Sequence, residues 1–293
     1  MNYSDEVDHL LLLALFEGGN EFWSSQYRLH GATEFLHRIK AGEYAEHKRG
    51  GKLLHEVLAA LNGEELLVEL HNHGAFLVKR DDPDWPSALD DLKAPPIALI
   101  GRGNREVLGG LTSSISIVGT RNPTDYGARV AGDFAAGSID RGWSVVSGGA
   151  FGIDSAAHRG ALIAEGETIA VLGCGVNSIF PSGNERLFRQ ILENGLLLSE
   201  VLPNVHAIPA RFLIRNRIIA AISRATVVVE AAFRSGSLRT ARDAAEIFRP
   251  VFAVPGPINS PTSDGCHRLI GERTAEIVTS VADLMELVGP LAV

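Results

Sequence analysis

Lysine is missing from residues 94–293. All five lysines (Lys40, Lys48, Lys52, Lys79 and Lys93) come earlier. A Walker-type ATPase needs a lysine at the end of its glycine-rich loop, so the main part of the chain excludes one. Cysteine is scarce: Cys174 and Cys266 are far apart and form no Cys-x-x-Cys pair. That excludes a disulfide scaffold and a cysteine-cluster zinc site. The longest apolar run, Leu10 to Phe16, is seven residues, well short of the roughly 18 of a membrane span. It follows the acidic start Asp5-Glu6-Val7-Asp8, where a secretory signal would be basic. A cytoplasmic protein with no membrane contact is expected. No Gly-x-Ser-x-Gly elbow and no Gly-x-Gly-x-x-Gly fingerprint occur. Asp154 and His158 stand at i, i+4 spacing without an evident third ligand, so no metal and no cofactor are expected.

What is present is ample for a core: 293 residues, 45% of them hydrophobic, with a net charge of −8. Length alone predicts one large domain, or a large one plus a small one. Residues 1–111 hold 11 Lys+Arg against 18 Asp+Glu, whereas residues 112–273 hold 16, all arginine, against 14. Codon preference and an anionic ligand both account for that arginine bias.

From residue 115 onward, short apolar runs alternate with amphipathic stretches. The pattern predicts strands at 115–119, 143–147, 168–172, 196–200, 225–230, 250–254 and 276–279. Helices are expected at about 126–140, 153–165, 184–194, 213–222, 237–248 and 280–288. Runs such as Val227-Val228-Val229 are apolar on both faces, as in a buried parallel sheet. The fold class expected is α/β, an extended Rossmann-like doubly wound parallel sheet. Strands at 76–79 and 97–100 either extend the sheet or cover its edge. Residues 1–75 read as a small helical domain, and 76–293 as the Rossmann-like one.

Ligands of open α/β sheets bind beyond the carboxyl ends of the strands. There the sequence puts Gly119-Thr120-Arg121, Ser147-Gly148-Gly149, Gly173 and Ser235-Gly236-Ser237. Small residues before a helix let backbone N–H groups approach an anion. Several such loops at one edge point to phosphate. The segment Arg211-Phe212-Leu213-Ile214-Arg215-Asn216-Arg217 adds three arginines. Arg211 and Arg215 share a helix face and are expected at phosphate. For Arg217 a phosphate contact and an ion pair with Glu200 or Glu230 stand equal. Asp154 and His158 are expected to be structural, with His158 held against a neighbouring loop.

Several segments, in order, resemble the DNA-processing protein A (DprA, also called Smf) family. They are Gly119-Thr120-Arg121, the run from Val145 to His158 through Ser147-Gly148-Gly149-Ala150-Phe151-Gly152-Ile153-Asp154, Arg215-Asn216-Arg217-Ile218-Ile219-Ala220, Glu230 through Ser235-Gly236-Ser237, and Ser263 through Cys266-His267-Arg268-Leu269-Ile270. The likeness runs from about residue 77 to 280. It implies a non-enzymatic, sequence-independent single-stranded DNA binder that protects incoming DNA in natural transformation and helps load the recombinase RecA. It also implies a homodimer, with His267, Leu269 and Ile270 at the interface, and Arg121 as the main DNA-contacting arginine. Departures are Leu213 where the family has proline, Arg273-Thr274 where it has Gly-Ala, and an end at Val293, before the winged-helix tail of many members. Two alternatives bind phosphate on the same kind of fold: a nucleotide-ligand sensor and a phosphoribohydrolase of the lysine-decarboxylase-like (LOG) family. The latter's catalytic glutamate is missing from 235–242.

Overall fold

The computed structural model describes residues 3–289; the outermost residues of the two expected domains, 1–2 and 290–293, lie outside it. The chain begins with α1 (Tyr3–Leu15) and α2 (Glu21–Lys40), then a hairpin of β1 (Lys48–Arg49) and β2 (Lys52–Leu53), then α3 (Leu54–Ala59) and α4 (Gly63–Asn72). Asn20 opens α2 by accepting a hydrogen bond from Trp23 N at 3.1 Å, the usual service of an N-cap asparagine. The hairpin and α4 were not foreseen: two-residue strands and a mixed helical stripe leave little periodicity to read.

Next come β3 (Ala75–Lys79), β4 (Ala98–Gly103), β5 (Ser114–Val118), α5 (Asp125–Ile139), β6 (Ser144–Ser147), α6 (Ile153–Ile163), β7 (Thr168–Leu172), α7 (Glu185–Asn194) and β8 (Leu196–Ser199). The chain continues through α8 (Pro209–Ile222), β9 (Ala225–Val228), α9 (Ser237–Glu246), β10 (Val251–Ala253), α10 (Asp264–Gly271), β11 (Glu276–Ile277) and α11 (Val281–Val288). Helix α8 starts four residues before the expected 213, because Pro209 sits in its first turn, where a missing N–H costs nothing. That puts Arg211 on the helix.

Nine strands form one sheet in the order β11-β10-β9-β5-β6-β7-β8-β4-β3. β5 to β11 run parallel to their neighbours. β4 pairs antiparallel with β8, and β3 with β4, so the two early strands extend the sheet. The order reverses between β5 and β9: the chain winds outward from β5 to β8, then returns to lay β9 on the other side of β5. A doubly wound sheet opens its ligand crevice at such a reversal.

Alternate residues of each strand serve opposite faces. Ile115, Ile117, Val145 and Val227 meet α5, α6 and α11. Val118, Val146, Val171 and Val228 meet α8, α9 and α10. The N-terminal helices and α7 share one cluster with Ala98, Ala170, Leu172 and Leu197. Among the described residues no helix is long and apolar enough to cross a membrane, and no group of three or more His, Cys, Asp or Glu could hold a metal.

His158 is fully buried on α6 and faces β7 rather than the loop expected for it. Its Nδ1 is 2.7 Å from Thr168 Oγ1. Thr168 spends its one proton on Val145 O at 2.8 Å, so Nδ1–H must donate and Nε2 is the bare nitrogen. Nε2 is buried without a partner. Burial first, and then the nearby Arg215, hold this imidazole down to about 3. The unfolded chain therefore takes up a proton near the ordinary histidine value while the native one does not. Stability contributed by His158 should be complete above about pH 6.5 and fall as pH drops from there to about 3. Denaturant melts of the wild type and His158→Gln across that window should converge toward acid; parallel curves would contradict this.

Candidate functional site

At the reversal, the ends of β5 and β9 and the first turns of α8 and α9 enclose an open crevice of about 380 Å³. Its walls include Gly119, Thr120 and Arg121 after β5, Arg234, Ser235, Gly236 and Ser237 after β9, and Phe212, Arg215 and Asn216 on α8.

The loop that carries Arg121 is held by Glu230, which follows the apolar run Val227-Val228-Val229. Thr120 N donates to Glu230 O at 2.6 Å. The Glu230 carboxylate accepts from Thr124 N at 2.9 Å and from Thr124 Oγ1 at 2.7 Å. A Cβ on Gly119 would fall 2.6 Å from both Glu230 O and Ile153 Cγ1, so glycine here lets the two strand ends and α6 converge. Arg121 itself is exposed. Its guanidinium lies 5.8 Å from the centre of the Phe212 ring, and among the described residues it takes part in no ion pair. The alternative pairing with Asp154 or Glu230 is not formed.

Arg215 is different. It is only 6% exposed, and its Nη1 donates to Val171 O at 2.6 Å. Burial pulls its guanidinium down to about 10, partly offset by Asp154 and Cys174, so it remains a cation at neutral pH. Burial pushes the Asp154 carboxyl up, against Arg215 and backbone N–H groups that favour its charge. Both side chains press on Gly148, where a Cβ would run into Arg215 Nη1 and Asp154 Oδ2. Arg215 thus supplies charge from the floor of the crevice.

The sequence candidates divide accordingly. Gly119, Arg121, Arg215, Ser235, Gly236 and Ser237 are brought together on the walls. Ser147, Gly148, Gly149 and Gly173 lie behind them and shape the site. Ser147 is fully buried and donates to Ile117 O at 2.7 Å, so its hydroxyl is not offered to a ligand. Gly149 turns at φ 68, with Phe188 against it, and Gly173 makes room for Phe212. Arg211 departs from the expectation, and for Arg217 the ion pair is the alternative that forms. Arg211 forms a two-pronged pair with Glu17 at 2.6 and 2.9 Å, and Arg217 a buried one with Glu200 at 2.5 and 2.6 Å. Both charges are paired within the chain, Arg217 in the interior and Arg211 near the surface. Asn216, whose Nδ2 donates to Gly236 O at 3.2 Å, and Arg234, which directly precedes the Ser235-Gly236-Ser237 loop, were missed. On α10, Leu269 is another correction: it is fully buried in the chain's own core and cannot face a second copy. Ile270 is partly buried against the same cluster, and His267 Nε2 lies 3.0 Å from Gly256 O.

The comparisons with known proteins meet this geometry. The family model described as DNA recombination-mediator protein A matches residues 76–289. The chain belongs to that family. A Mycobacterium tuberculosis relative, "Putative DNA processing protein DprA", is 40% identical over 277 residues, covering 89% of this chain and 69% of the relative. The Escherichia coli "Protein Smf" is 41% identical over 220 residues, covering 75% of this chain and 58% of that protein. Among solved structures, DNA processing protein A from Streptococcus pneumoniae matches at TM-score 0.75 and 32% identity, over 94% of this chain and all of that one. The Helicobacter pylori member, whose structure is described by its single-stranded DNA binding mode, matches at TM-score 0.66 and 30% identity, over 73% of this chain and 94% of that one. The family's sheet and its N-terminal helical region are both present here.

Removing Arg215 would leave the Val171 carbonyl without its side-chain donor and a void where the buried guanidinium stood. A buried polar group left unsatisfied costs about 1–3 kcal/mol. Arg215→Ala should therefore lower the melting temperature markedly and Arg121→Ala hardly at all. Equal melting temperatures for the two variants would refute the assignment of Arg215 to the floor.

Proposed function

We propose that this recombination-mediator family member binds single-stranded DNA without sequence preference in the crevice between β5 and β9, in the cytoplasm and without catalysis. The observation that carries the reading is Arg121: an exposed guanidinium at the strand-order reversal, with no counter-charge among the described residues, standing over an aromatic ring. Phosphate contacts hold a strand in place but carry no sequence information, and rings beside cations suit any base. Phe212 is flanked by Phe180, with centroids 5.4 Å apart, and Phe151 is 48% exposed nearby. The Helicobacter pylori relative, described as binding single-stranded DNA, supports the same ligand. Gly236 would offer its backbone N–H at the start of α9, where the helix favours an anion; Ser235 N already donates to Ala232 O at 2.9 Å. The family's description as a recombination mediator supports extending this reading to protection of incoming DNA and its handover to the recombinase RecA.

A homodimer belongs to the same reading. On α10, Arg268 lies over the Phe233 ring at 4.7 Å and His267 Nε2 lies 3.0 Å from Gly256 O; Phe233 and Ile258 are 52% and 91% exposed. Light scattering on His267→Ala should show loss of the dimer; an unchanged dimer mass would remove His267 from the interface.

The central test is fluorescence anisotropy with single-stranded DNA, duplex DNA and a mononucleotide over a range of salt. Single strands should bind best, with a steep salt dependence, because several counterions are released. Arg121→Ala should weaken binding by about 1–3 kcal/mol and flatten the slope by about 0.7, one phosphate's worth on a single strand. Preference for duplex, or tight binding of the mononucleotide with a shallow slope, would overturn the reading.

A further inference from the structure

The N-terminal unit is acidic: residues 1–75 hold 6 Lys+Arg against 12 Asp+Glu. Its positive charge is nevertheless concentrated in one stretch, His47-Lys48-Arg49-Gly50-Gly51-Lys52, which forms the β1–β2 hairpin. Lys48 pairs with Leu53 and Arg49 with Lys52 across it, and Gly50 and Gly51 turn it at φ 58 and 82, the left-handed pair that a two-residue hairpin turn demands. Lys48 and Lys52 are exposed, and among the described residues neither takes part in an ion pair. Lys79 and Lys93 by contrast are paired, with Asp5 and Glu246.

Aromatic rings lie beside these cations. Phe22 is 44% exposed and stacks on the His47 ring at 5.1 Å and 29°. Trp23 meets the same imidazole edge-on at 4.8 Å. Trp23, His47, Lys48 and Arg49 line an open cleft of about 490 Å³ with the 17–20 loop. The acidic groups facing it are Glu46, 3.7 Å from His47, and Glu17. Glu17 is already committed to Arg211 at 2.6 Å and lies 3.9 Å from Arg49. Glu17 on the cleft's rim pairs with Arg211, the residue before Phe212 of the crevice wall.

Exposed rings alternating with unpaired cations are how proteins hold single strands: bases stack and the backbone follows the charge. We propose that the 47–52 hairpin, together with Phe22, is a second contact site for the strand held in the crevice, with phosphates at Lys48 and Lys52 and a base on Phe22. This rests on the DNA-binding reading above and extends it by a site on the N-terminal unit.

The test uses the full chain, the double variant Lys48→Glu/Lys52→Glu, and Phe22→Ala, with oligothymidines of about 6 and about 24 nucleotides, bracketing the span of a single-strand site. The double variant should bind the long strand about tenfold more weakly at low salt and lose about 1.4 from its salt slope, two phosphates' worth. It should bind the short strand as the wild type does, with an unchanged melting temperature. Phe22→Ala should weaken the long strand and leave the slope alone. Unchanged long-strand affinity and slope in the double variant would overturn the proposal, as would equal losses on both lengths, which would mean general repulsion. If the wild type bound neither strand, the DNA-binding reading itself would fall. The two failures are thus told apart.

Discussion

Arg215 carries a full charge inside the protein, and much of the site is built around that fact. A buried guanidinium persists only where carbonyls and carboxylates replace its water. Val171 O does so here by accepting from Nη1, which pins the second turn of α8 to the carboxyl end of β7, and the nearby Asp154 favours the charge. Gly148 is the space this arrangement requires. His158, one turn along α6 from Asp154, stays neutral partly because a second cation cannot sit close by. With α8 fixed, Phe212 and Asn216 take up their places on the crevice wall.

The same helix ties in the N-terminal unit. Arg217 reaches Glu200 at the end of β8, and Arg211 reaches Glu17 between α1 and α2. Gly18 and Gly19 let that linker lie directly on Glu200, Ile214 and Arg217. Three arginines within seven residues therefore make three separate attachments: to the N-terminal linker, to the sheet, and to a strand end. A single run of like charge is tolerated because each member has its own counterpart.

Most of the fold was legible. Runs such as Val145-Val146 and Val227-Val228-Val229, apolar on both faces, could only be central parallel strands, and glycine loops marked their carboxyl ends. The N-terminal hairpin was not legible, since two residues per strand give no alternation. The site was legible in part. Arg121 stands in a short loop that cannot bury a guanidinium, and the structure leaves it exposed. Arg211 misled because a sequence displays charge but not its partner: Glu17 is 194 residues away along the chain, whereas for Arg217 the pair with Glu200, one of the two readings left open, is the one that forms. Glycines misled in a related way. Gly148 and Gly173 looked like anion loops, yet each makes room for a side chain, Arg215 and Phe212. Leu269 belonged to the motif by order, but its side chain turns into the core.

The confinement of lysine to the first 93 residues has a chemical consequence. Every cation on the crevice wall is a guanidinium. Acetylation, which erases a lysine's charge, has nothing to act on there. Amine-directed modification can alter the N-terminal unit and its hairpin while the charge at the sheet edge remains beyond its reach. The two ends of the proposed DNA track thus differ in whether the cell can adjust them: one is open to covalent tuning, the other is fixed when the chain is made.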